Sequence, residues 1–202
     1  MKEKILVTGG TGYIGSHTVV ELQNAGYEVI IIDNLSNSSA DVVDNIEKVS
    51  GIRPVFEKLD CLDYAGLDAV FTKYKGIKAI IHFAASKAVG ESVEKPLLYY
   101  RNNLVSLINL LELMPKHGVE GIVFSSSCTV YGQPDHLPVT EEAPIKKAES
   151  PYGTRSKLMR KLFVTQLLLV LLLMLSYCVI LIRSVLILLH CLVSCLTVCH
   201  KI

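Results

Sequence analysis

The most constraining feature of this sequence is a set of three glycines close to its start. A β-branched apolar run, Lys4 to Thr8, stops at Gly9 and is typical of a buried parallel strand that enters a tight turn. Gly12 and Gly15 complete a GxxGxxG spacing, and a helical pattern follows. Glycines at such a junction let the backbone approach a pyrophosphate without β-carbons in the way. The position predicts a dinucleotide-binding turn, whereas a glycine triplet alone would indicate an ordinary turn.

A second strand and an aspartate extend this unit. Residues 16–25 have helical spacing and end before Gly26, and residues 28–32 predict a second buried strand, which together make a βαβ unit. Asp33 follows this strand. Its carboxylate can accept hydrogen bonds from an adenine ribose and would repel a 2′-phosphate, so we expect NAD rather than NADP. The alternative is that Asp33 is only a turn residue.

Three later apolar runs predict further strands of the same sheet, at residues 54–58, 79–83 and 121–124. Helical stretches separate these runs, and the alternation predicts an α/β fold with a doubly wound parallel sheet. Between the last two runs, residues 96–113 predict a helix that packs against the sheet. The face expected to make this contact comprises Leu97, Leu104, Ile108 and Leu111.

The composition excludes several classes of protein. A chain of 202 residues suits one full domain, and a net charge of +1 without a basic cluster argues against a nucleic-acid partner. Cys61 and Cys128 lie in the globular part and the other four cysteines in an apolar tail, which is not a disulfide framework. Cys195, Cys199 and His200 have a spacing that a metal could use, but this spacing also fits one stripe of an apolar helix, and we predict no metal site. No secretory signal pattern is present at the start, which favours a cytoplasmic location.

The character of the sequence changes after Lys161. Residues 162–182 carry no charged side chain and have about the length of a membrane-spanning helix, and a second apolar run follows Arg183. The sequence therefore predicts a Rossmann domain at 1–161 and a separate apolar tail at 162–202. The tail is interpreted either as a membrane anchor, which would make the protein membrane-associated, or as the product of a lost reading frame.

Five motifs occur in order along the first part of the chain: VTGGTGYIGSHT, DNLSNSS, HFAASKAVGESVEKP, FSSSCTVYG and SPYG. In sequence and spacing they resemble the UDP-glucose 4-epimerases of the extended short-chain dehydrogenase family, over about the first 160 residues. Sugar-nucleotide dehydratases of the same superfamily tend to carry an Asp-Glu pair where this chain has Cys128 and Thr129. The later strands and the substrate domain of the family are unmatched.

The resemblance implies a set of cofactor-binding residues that follow the strands or begin the next helix. They are the three glycines with Tyr13 and Ile14 at the pyrophosphate, Asp33 and Asn34 at the adenosine ribose, Asp60 and Cys61 at the adenine, and Phe83, Ala84, Ala85, Lys87 and Asn102 along the rest of NAD. Outside this motif context, Phe83 would be an ordinary core residue and Lys87 an ordinary solvated lysine.

The resemblance also implies the catalytic residues. Ser127, expected at the end of the fifth strand, would hydrogen-bond a substrate hydroxyl, and Tyr152 would act as acid and base because NAD⁺ and a lysine lower its pKa. Family members have this lysine four positions after the tyrosine, but here Ser156 stands fourth and Lys157 fifth. One extra residue rotates a helical side chain by about 100°. Either the helix begins one residue later, or the pair of Tyr152 and Lys157 is broken.

The leading interpretation is a UDP-glucose 4-epimerase of galactose metabolism, truncated and impaired as written. Its substrate would be a UDP-sugar, and the intact family implies a homodimer. Another NAD-dependent sugar-nucleotide dehydratase or reductase is the alternative among enzymes. A non-catalytic NAD-binding module tethered by its tail is the alternative from a different class.

Overall fold

The computed structural model describes residues 2–133, 138–140, 143–146 and 151–173, and in this part of the chain parallel strands alternate with helices. The strands are β1 (Lys4–Thr8), β2 (Glu28–Asp33), β3 (Val55–Lys58), β4 (Ile77–His82) and β5 (Gly121–Phe124). The helices are α1 (Tyr13–Asn24), α2 (Asp41–Ser50), α3 (Tyr64–Lys73), α4 (Val89–Glu94), α5 (Pro96–Tyr100), α6 (Ser106–His117) and α7 (Pro151–Leu173). One turn of π-helix (Arg101–Val105), called the π-turn below, joins α5 to α6, and a 3-10 turn (Cys128–Tyr131) follows β5.

The strands form one sheet in the order β3-β2-β1-β4-β5, and all neighbours are parallel. The chain runs outward from β1 through β2 to β3 and then returns to the other side of β1 with β4. This reversal makes the sheet doubly wound and opens a crevice at the carboxyl ends of β1 and β4. The α/β fold class predicted from the sequence is confirmed.

The core is built from β-branched residues of the central strands. Ile5 and Val7 of β1 form a buried cluster with Val29 and Ile31 of β2, and Val19 of α1 packs on the same cluster. Leu6 points to the opposite face of β1 and is also completely buried. Both faces of the central strand are therefore covered, as its continuous apolar run requires.

The helical segment after α4 buries a different face from the one predicted. The expected contact residues Leu97 and Ile108 are 81% and 37% exposed, and Leu104 and Leu111 are half-buried. The leucines that are completely buried are instead Leu107, Leu110 and Leu113. The segment carries leucines on more than one side, and the π-turn interrupts the regular phase of an α-helix. A helical periodicity counted across that interruption therefore predicted the wrong buried face.

Helix α7 continues without a break through the predicted domain boundary after Lys161. Contacts divide the chain after Leu162, and the second unit is described only as the part of α7 from Phe163 to Leu173. Among the described residues, no helix combines the length and apolar character needed to cross a membrane. The rest of the predicted tail, with the four cysteines considered there, lies outside the described residues.

Candidate dinucleotide site and catalytic residues

The turn after β1 requires glycine for steric reasons within the protein itself. Gly9 has φ +72°, and a β-carbon there would lie 2.7 Å from the amide nitrogen of Ala84. A β-carbon on Gly15 would lie 2.1 Å from the carbonyl oxygen of Gly9. The glycines therefore bring the start of α1, the end of β1 and the segment after β4 into close contact.

Helix α1 begins at this turn with no side chain on its terminal amides. Its N-cap is Gly12, which supplies no capping side chain, and its first turn contains no acidic residue. Tyr13 and Ile14 are 65% and 36% exposed. A helix N-terminus of this kind carries partial positive charge and leaves N–H groups that can bind an anion. The structure thus puts the two predicted pyrophosphate residues at an accessible helix start.

Asp33 is the last residue of β2, because the strand extends one residue further than predicted, and it is only 8% exposed. Its Oδ2 accepts a hydrogen bond from Thr11 N at 3.2 Å, and its Oδ1 accepts from Leu35 N at 2.9 Å and Ser38 Oγ at 3.3 Å. Leu35 has φ 61°, which is uncommon for a leucine, and the bond to Asp33 helps to hold that conformation. Because a carboxylate has about four acceptor positions, Asp33 can accept one further hydrogen bond.

The predicted adenine residues follow β3 and are joined to the segment after β2. Asn34 Nδ2 donates to Asp60 Oδ2 at 2.9 Å, and Asp60 Oδ1 accepts from Leu62 N at 2.9 Å. Cys61 is buried, and this burial raises the pKa of its thiol to about 12. The thiol is therefore protonated near neutrality and acts as an apolar wall rather than as a nucleophile.

The segment after β4 is fastened to β1 at its beginning. Phe83 N donates to Thr8 O at 3.0 Å and Ala84 N to Thr8 Oγ1 at 3.4 Å, while Thr8 Oγ1 lies 2.7 Å from His82 Nδ1. Phe83 also packs on the sheet core, so the core interpretation of this residue describes part of its surroundings. The segment then becomes accessible, and Ala85 and Lys87 are exposed.

Two buried asparagines at this edge were missed by the sequence reasoning. Asn102, which was predicted, donates from Nδ2 to Ser86 Oγ at 3.2 Å. Its neighbour Asn103 is completely buried and binds the backbone of Ser86, and Asn109 binds the backbone that follows β3. Three asparagines within an otherwise leucine-rich helical segment were the available signal, because an amide that becomes buried needs hydrogen-bond partners.

Ser127 lies three residues beyond the end of β5 rather than at the end of that strand. It is the N-cap of the 3-10 turn, and its Oγ accepts from Thr129 N at 3.3 Å and from Thr129 Oγ1 at 3.0 Å. β5 has the predicted bounds, and Ser127 lies after it where the backbone enters the 3-10 turn that this side chain caps. The hydroxyl of Ser127 still has a hydrogen to donate.

Helix α7 contains both Tyr152 and Lys157 in regular helical geometry. The helix begins at Pro151, and Ser156 Oγ donates to the carbonyl oxygen of Tyr152 at 3.0 Å. Ser156 is completely buried, whereas Tyr152 and Lys157 are half-buried. At about 100° per residue, Ser156 lies about 40° around the axis from Tyr152 and Lys157 about 140°. The helix start does not absorb the extra residue.

Two open cavities lie away from all these residues. They have volumes of about 410 and 480 Å³ and are lined by residues such as Ile77 and His117 in one and Lys4, Glu28 and Val55 in the other. Four of these residues, Lys4, Glu28, Val55 and Ile77, are the first residues of β1, β2, β3 and β4, so the cavities lie at the amino edge of the sheet. Ligands of open α/β sheets bind at the carboxyl edge, and we assign neither cavity to the predicted site. Among the described residues no cluster suits a metal ion.

Comparison with known proteins adds relatives of named activity. The sequence model of a family described as GDP-mannose 4,6 dehydratase matches residues 6–168. The UDP-glucose 4-epimerase of Bacillus subtilis (strain 168) is 54% identical over 155 residues, which are 77% of this chain and 45% of that protein. The UDP-glucose 4-epimerase of Homo sapiens is 51% identical over 159 residues, which are 76% of this chain and 45% of that protein. The chain thus spans a little under half the length of these relatives.

Solved structures give the same result. A crystal structure of UDP-glucose-4-epimerase from Stenotrophomonas maltophila with bound NAD and formylated UDP-arabinopyranose is similar with a TM-score of 0.77 and 45% identity, over 81% of this chain and 48% of that chain. The Bifidobacterium longum UDP-glucose 4-epimerase in complex with NAD⁺ and UDP is similar with a TM-score of 0.75 and 46% identity, over 80% of this chain and 49% of that chain.

Proposed function

The chain belongs to the GDP-mannose 4,6 dehydratase family, and from this premise we propose that it carries the NAD-binding half of a UDP-glucose 4-epimerase. The observation that supports this most is the buried Asp33 carboxylate beside the uncapped start of α1, at the crevice between β1 and β4. The relatives named as UDP-glucose 4-epimerases favour epimerisation over dehydration. Cys128 and Thr129 also stand where dehydratases tend to carry an Asp-Glu pair.

The residues at the carboxyl edge suit the charge and the hydrogen-bonding groups of NAD. The start of α1 offers amides to the pyrophosphate, and Asp33 offers an acceptor to the adenosine ribose while repelling a 2′-phosphate. Asp60 and Cys61 would flank the adenine, and Phe83, Ala84, Ala85, Lys87 and Asn102 would line the remainder of the dinucleotide. When bound, NAD would accept the hydride from C4 of the sugar and return it to the opposite face.

Within the protein, Tyr152 and Ser127 would manage the proton of the sugar. The Tyr152 phenolate would take the proton of the 4-hydroxyl, and Ser127 would donate a hydrogen bond to the same oxygen. Tyr152 would return the same proton to the oxygen after the 4-keto sugar has turned over, while Ser127 keeps its hydrogen bond to that oxygen. A phenol needs a nearby positive charge to ionise at neutral pH, and Lys157 is the residue proposed to supply it.

The position of Lys157 also supports the proposal that this chain is a poor catalyst as written. On α7 the serine Ser156, not the lysine, lies one turn after Tyr152. A phenol without its lysine stays mostly protonated near neutrality and is a weak base. The same observation favours the second candidate function, a non-catalytic module that binds NAD. Among enzymes, a dehydratase or reductase of sugar nucleotides is the remaining alternative.

The test is to supply UDP-galactose and NAD to the purified 202-residue chain and to a fusion with the second half of the Bacillus subtilis relative. We expect NAD to bind both proteins with a preference over NADP. UDP-glucose should form, if at all, only with the fusion, and its appearance without a 4-keto-6-deoxy product would exclude a dehydratase. NAD binding without turnover in either protein would favour the non-catalytic module. An absence of NAD binding would refute both.

We further propose that the protein forms a homodimer through exposed apolar residues of α4, α5 and α6. Val93, Leu97 and Ile108 are 61%, 81% and 37% exposed there, and apolar patches of this kind are commonly covered by a partner. Sedimentation should detect a dimer that the double change Leu97→Glu and Ile108→Glu dissociates. A monomer before the change would contradict the proposal. The cytoplasmic location, with membrane association through the tail as its alternative, stays a prediction for cell fractionation.

A further inference from the structure

The segment from the π-turn into α6 carries two asparagines in the interior of the protein. Asn103 is completely buried and Asn109 is 7% exposed. Apolar neighbours in sequence, Leu107 and Leu110, are completely buried as well. A primary amide at such a position costs free energy unless its groups are hydrogen-bonded. The partners of these two amides therefore indicate what the asparagines do.

Asn103 binds both backbone groups of one residue, the N–H and the carbonyl oxygen of Ser86. Its Oδ1 accepts from Ser86 N at 2.8 Å, and its Nδ2 donates to Ser86 O at 3.0 Å. Ser86 has no regular secondary structure and stands between Ala85 and Lys87, two residues proposed to line NAD. The buried amide thus fixes the backbone of an accessible segment to the interior of the domain.

Asn109 does the same for the segment after β3. Its Nδ2 donates to Cys61 O at 2.9 Å and to Leu62 O at 3.3 Å. Cys61 and its neighbour Asp60 are the residues proposed to flank the adenine. Asp60 also accepts the hydrogen bond from Asn34, so Asn109 supports the far end of a connected set of side chains.

We propose that Asn103 and Asn109 are positioning residues for the dinucleotide. Both belong to the same helical segment, and each holds a different stretch of backbone at the binding edge. Asn109 sets the backbone beside the adenine, and Asn103 sets the backbone along the other part of NAD. This inference rests on the proposed NAD binding. It goes beyond that binding because it gives each end of the dinucleotide its own buried asparagine, which acts through the backbone it holds and not by contact with the ligand.

A merely structural role predicts a different outcome from a positioning role. If the two amides only formed hydrogen bonds that stabilise the core, their loss would lower the stability of the protein. The affinity of the folded fraction for NAD would then stay unchanged. If they position the edge, affinity falls in the folded protein, and it falls in a manner that depends on the ligand fragment. Adenosine monophosphate contains only the adenine end, whereas NAD contains both ends.

The experiment uses the full 202-residue chain and measures the dissociation constants of NAD and adenosine monophosphate by calorimetry, with unfolding followed separately. Asn109→Leu should raise both constants by roughly tenfold, because it frees the adenine segment. Asn103→Leu should raise the constant of NAD by roughly tenfold and that of adenosine monophosphate by less than about twofold. Asn109→Gln, which can still donate to Cys61 O, should restore most of the adenosine monophosphate affinity.

Ser106→Ala is the matched control. Ser106 lies between the two asparagines and is 2% exposed, but its Oγ donates to Asn103 O within the same helical segment. Its removal should lower stability and leave both dissociation constants within about twofold of the parent. If a leucine variant does not fold, Asn103→Asp, which keeps the acceptor and loses the donor, and Asn109→Ser take its place.

The possible results of this experiment distinguish the positioning role from a structural role and from a failure of the proposed function. Folded variants at Asn103 and Asn109 that bind NAD as the parent does would overturn the positioning role while leaving the proposed function intact. An equal loss with both ligands in the Asn103 variant would also overturn it, because the division between the two ends would be wrong. A parent chain that binds no NAD would refute the proposed function and the positioning role with it.

Discussion

Ser156 donates a hydrogen bond from Oγ to the carbonyl oxygen of Tyr152, across 3.0 Å. This contact joins residues four apart and is therefore the regular spacing of one helical turn. It fixes the phase of α7 at the proposed catalytic tyrosine. Lys157, one residue further on, lies on a different side of the helix.

Moving the lysine into the position of Ser156 should restore base catalysis. In the fusion with the second half of an epimerase, the exchange Ser156→Lys with Lys157→Ser should raise kcat at pH 7 by about 100-fold, because a cation one helical turn from Tyr152 can stabilise the charge that the phenol oxygen carries as a base. Deletion of Thr154 should act in the same direction, although it also rotates Met159, which is buried. The measurement is the pH profile of UDP-galactose conversion. A large loss of kcat in the unexchanged fusion carrying Lys157→Met would contradict this, since Lys157 would then already reach Tyr152.

Removal of the negative charge of Asp33 should change the choice of cofactor. Asp33→Asn should weaken NAD binding by about tenfold, because charged acceptors form the stronger hydrogen bonds, and should narrow the preference for NAD over NADP. Calorimetric titration with both nucleotides measures the effect. Asp41→Asn, at an exposed acid that begins α2, is the control and should leave both affinities unchanged. An unaltered ratio of the two affinities in Asp33→Asn would show that Asp33 is only a turn residue.

A methyl group at Gly15 should disrupt the turn after β1. Because its β-carbon would meet the Gly9 carbonyl oxygen at 2.1 Å, Gly15→Ala should lower the free energy of unfolding by about 1–3 kcal/mol and weaken NAD binding. Gly90→Ala is the matched control within α4, where a β-carbon meets nothing within 4 Å. That substitution should raise the free energy of unfolding by up to about 1 kcal/mol. Equal urea midpoints for the two variants would argue against the close packing of the turn.

The free energy of unfolding should fall in acid partly through Asp68. Hydrogen bonds from Lys116 and His117 lower the pKa of the Asp68 carboxyl in the folded protein. A lowered folded pKa means that this stabilisation is present above the unfolded carboxyl value, about 3.9, and is lost as pH falls through the folded pKa. Urea unfolding between neutral pH and about pH 2.5 should therefore be less pH-dependent in Asp68→Asn. Glu94→Gln, at an exposed acid of α4, should retain the parent's dependence.

The parts of the fold that the sequence predicted correctly depend on local patterns. The first strand, the glycine turn and the acid at the end of β2 lie within about thirty residues, and each has a distinctive residue type. The buried side of α6 was predicted wrongly because Leu107 and Ile108 are both apolar, and only the tertiary structure decides which one faces the interior. The roles of Asn103 and Asn109 depend on backbone partners 17 and 48 residues away. No pattern within the helix specifies such partners.

The strand order has a consequence for the way this chain folds during synthesis. One edge of β1 pairs with β2 soon after it in the sequence, but its other edge pairs with β4, and the hydrogen bond between Thr8 and His82 joins residues 74 apart. Until β4 has left the ribosome, the central strand has an open, apolar edge, and such edges recruit other chains. Formation of the β1 and β4 pair should accordingly be a slow step that closes a long loop. The pairing of β1 with β4 creates the crevice for a ligand. The nascent chain is thus most prone to aggregation before this pairing has formed.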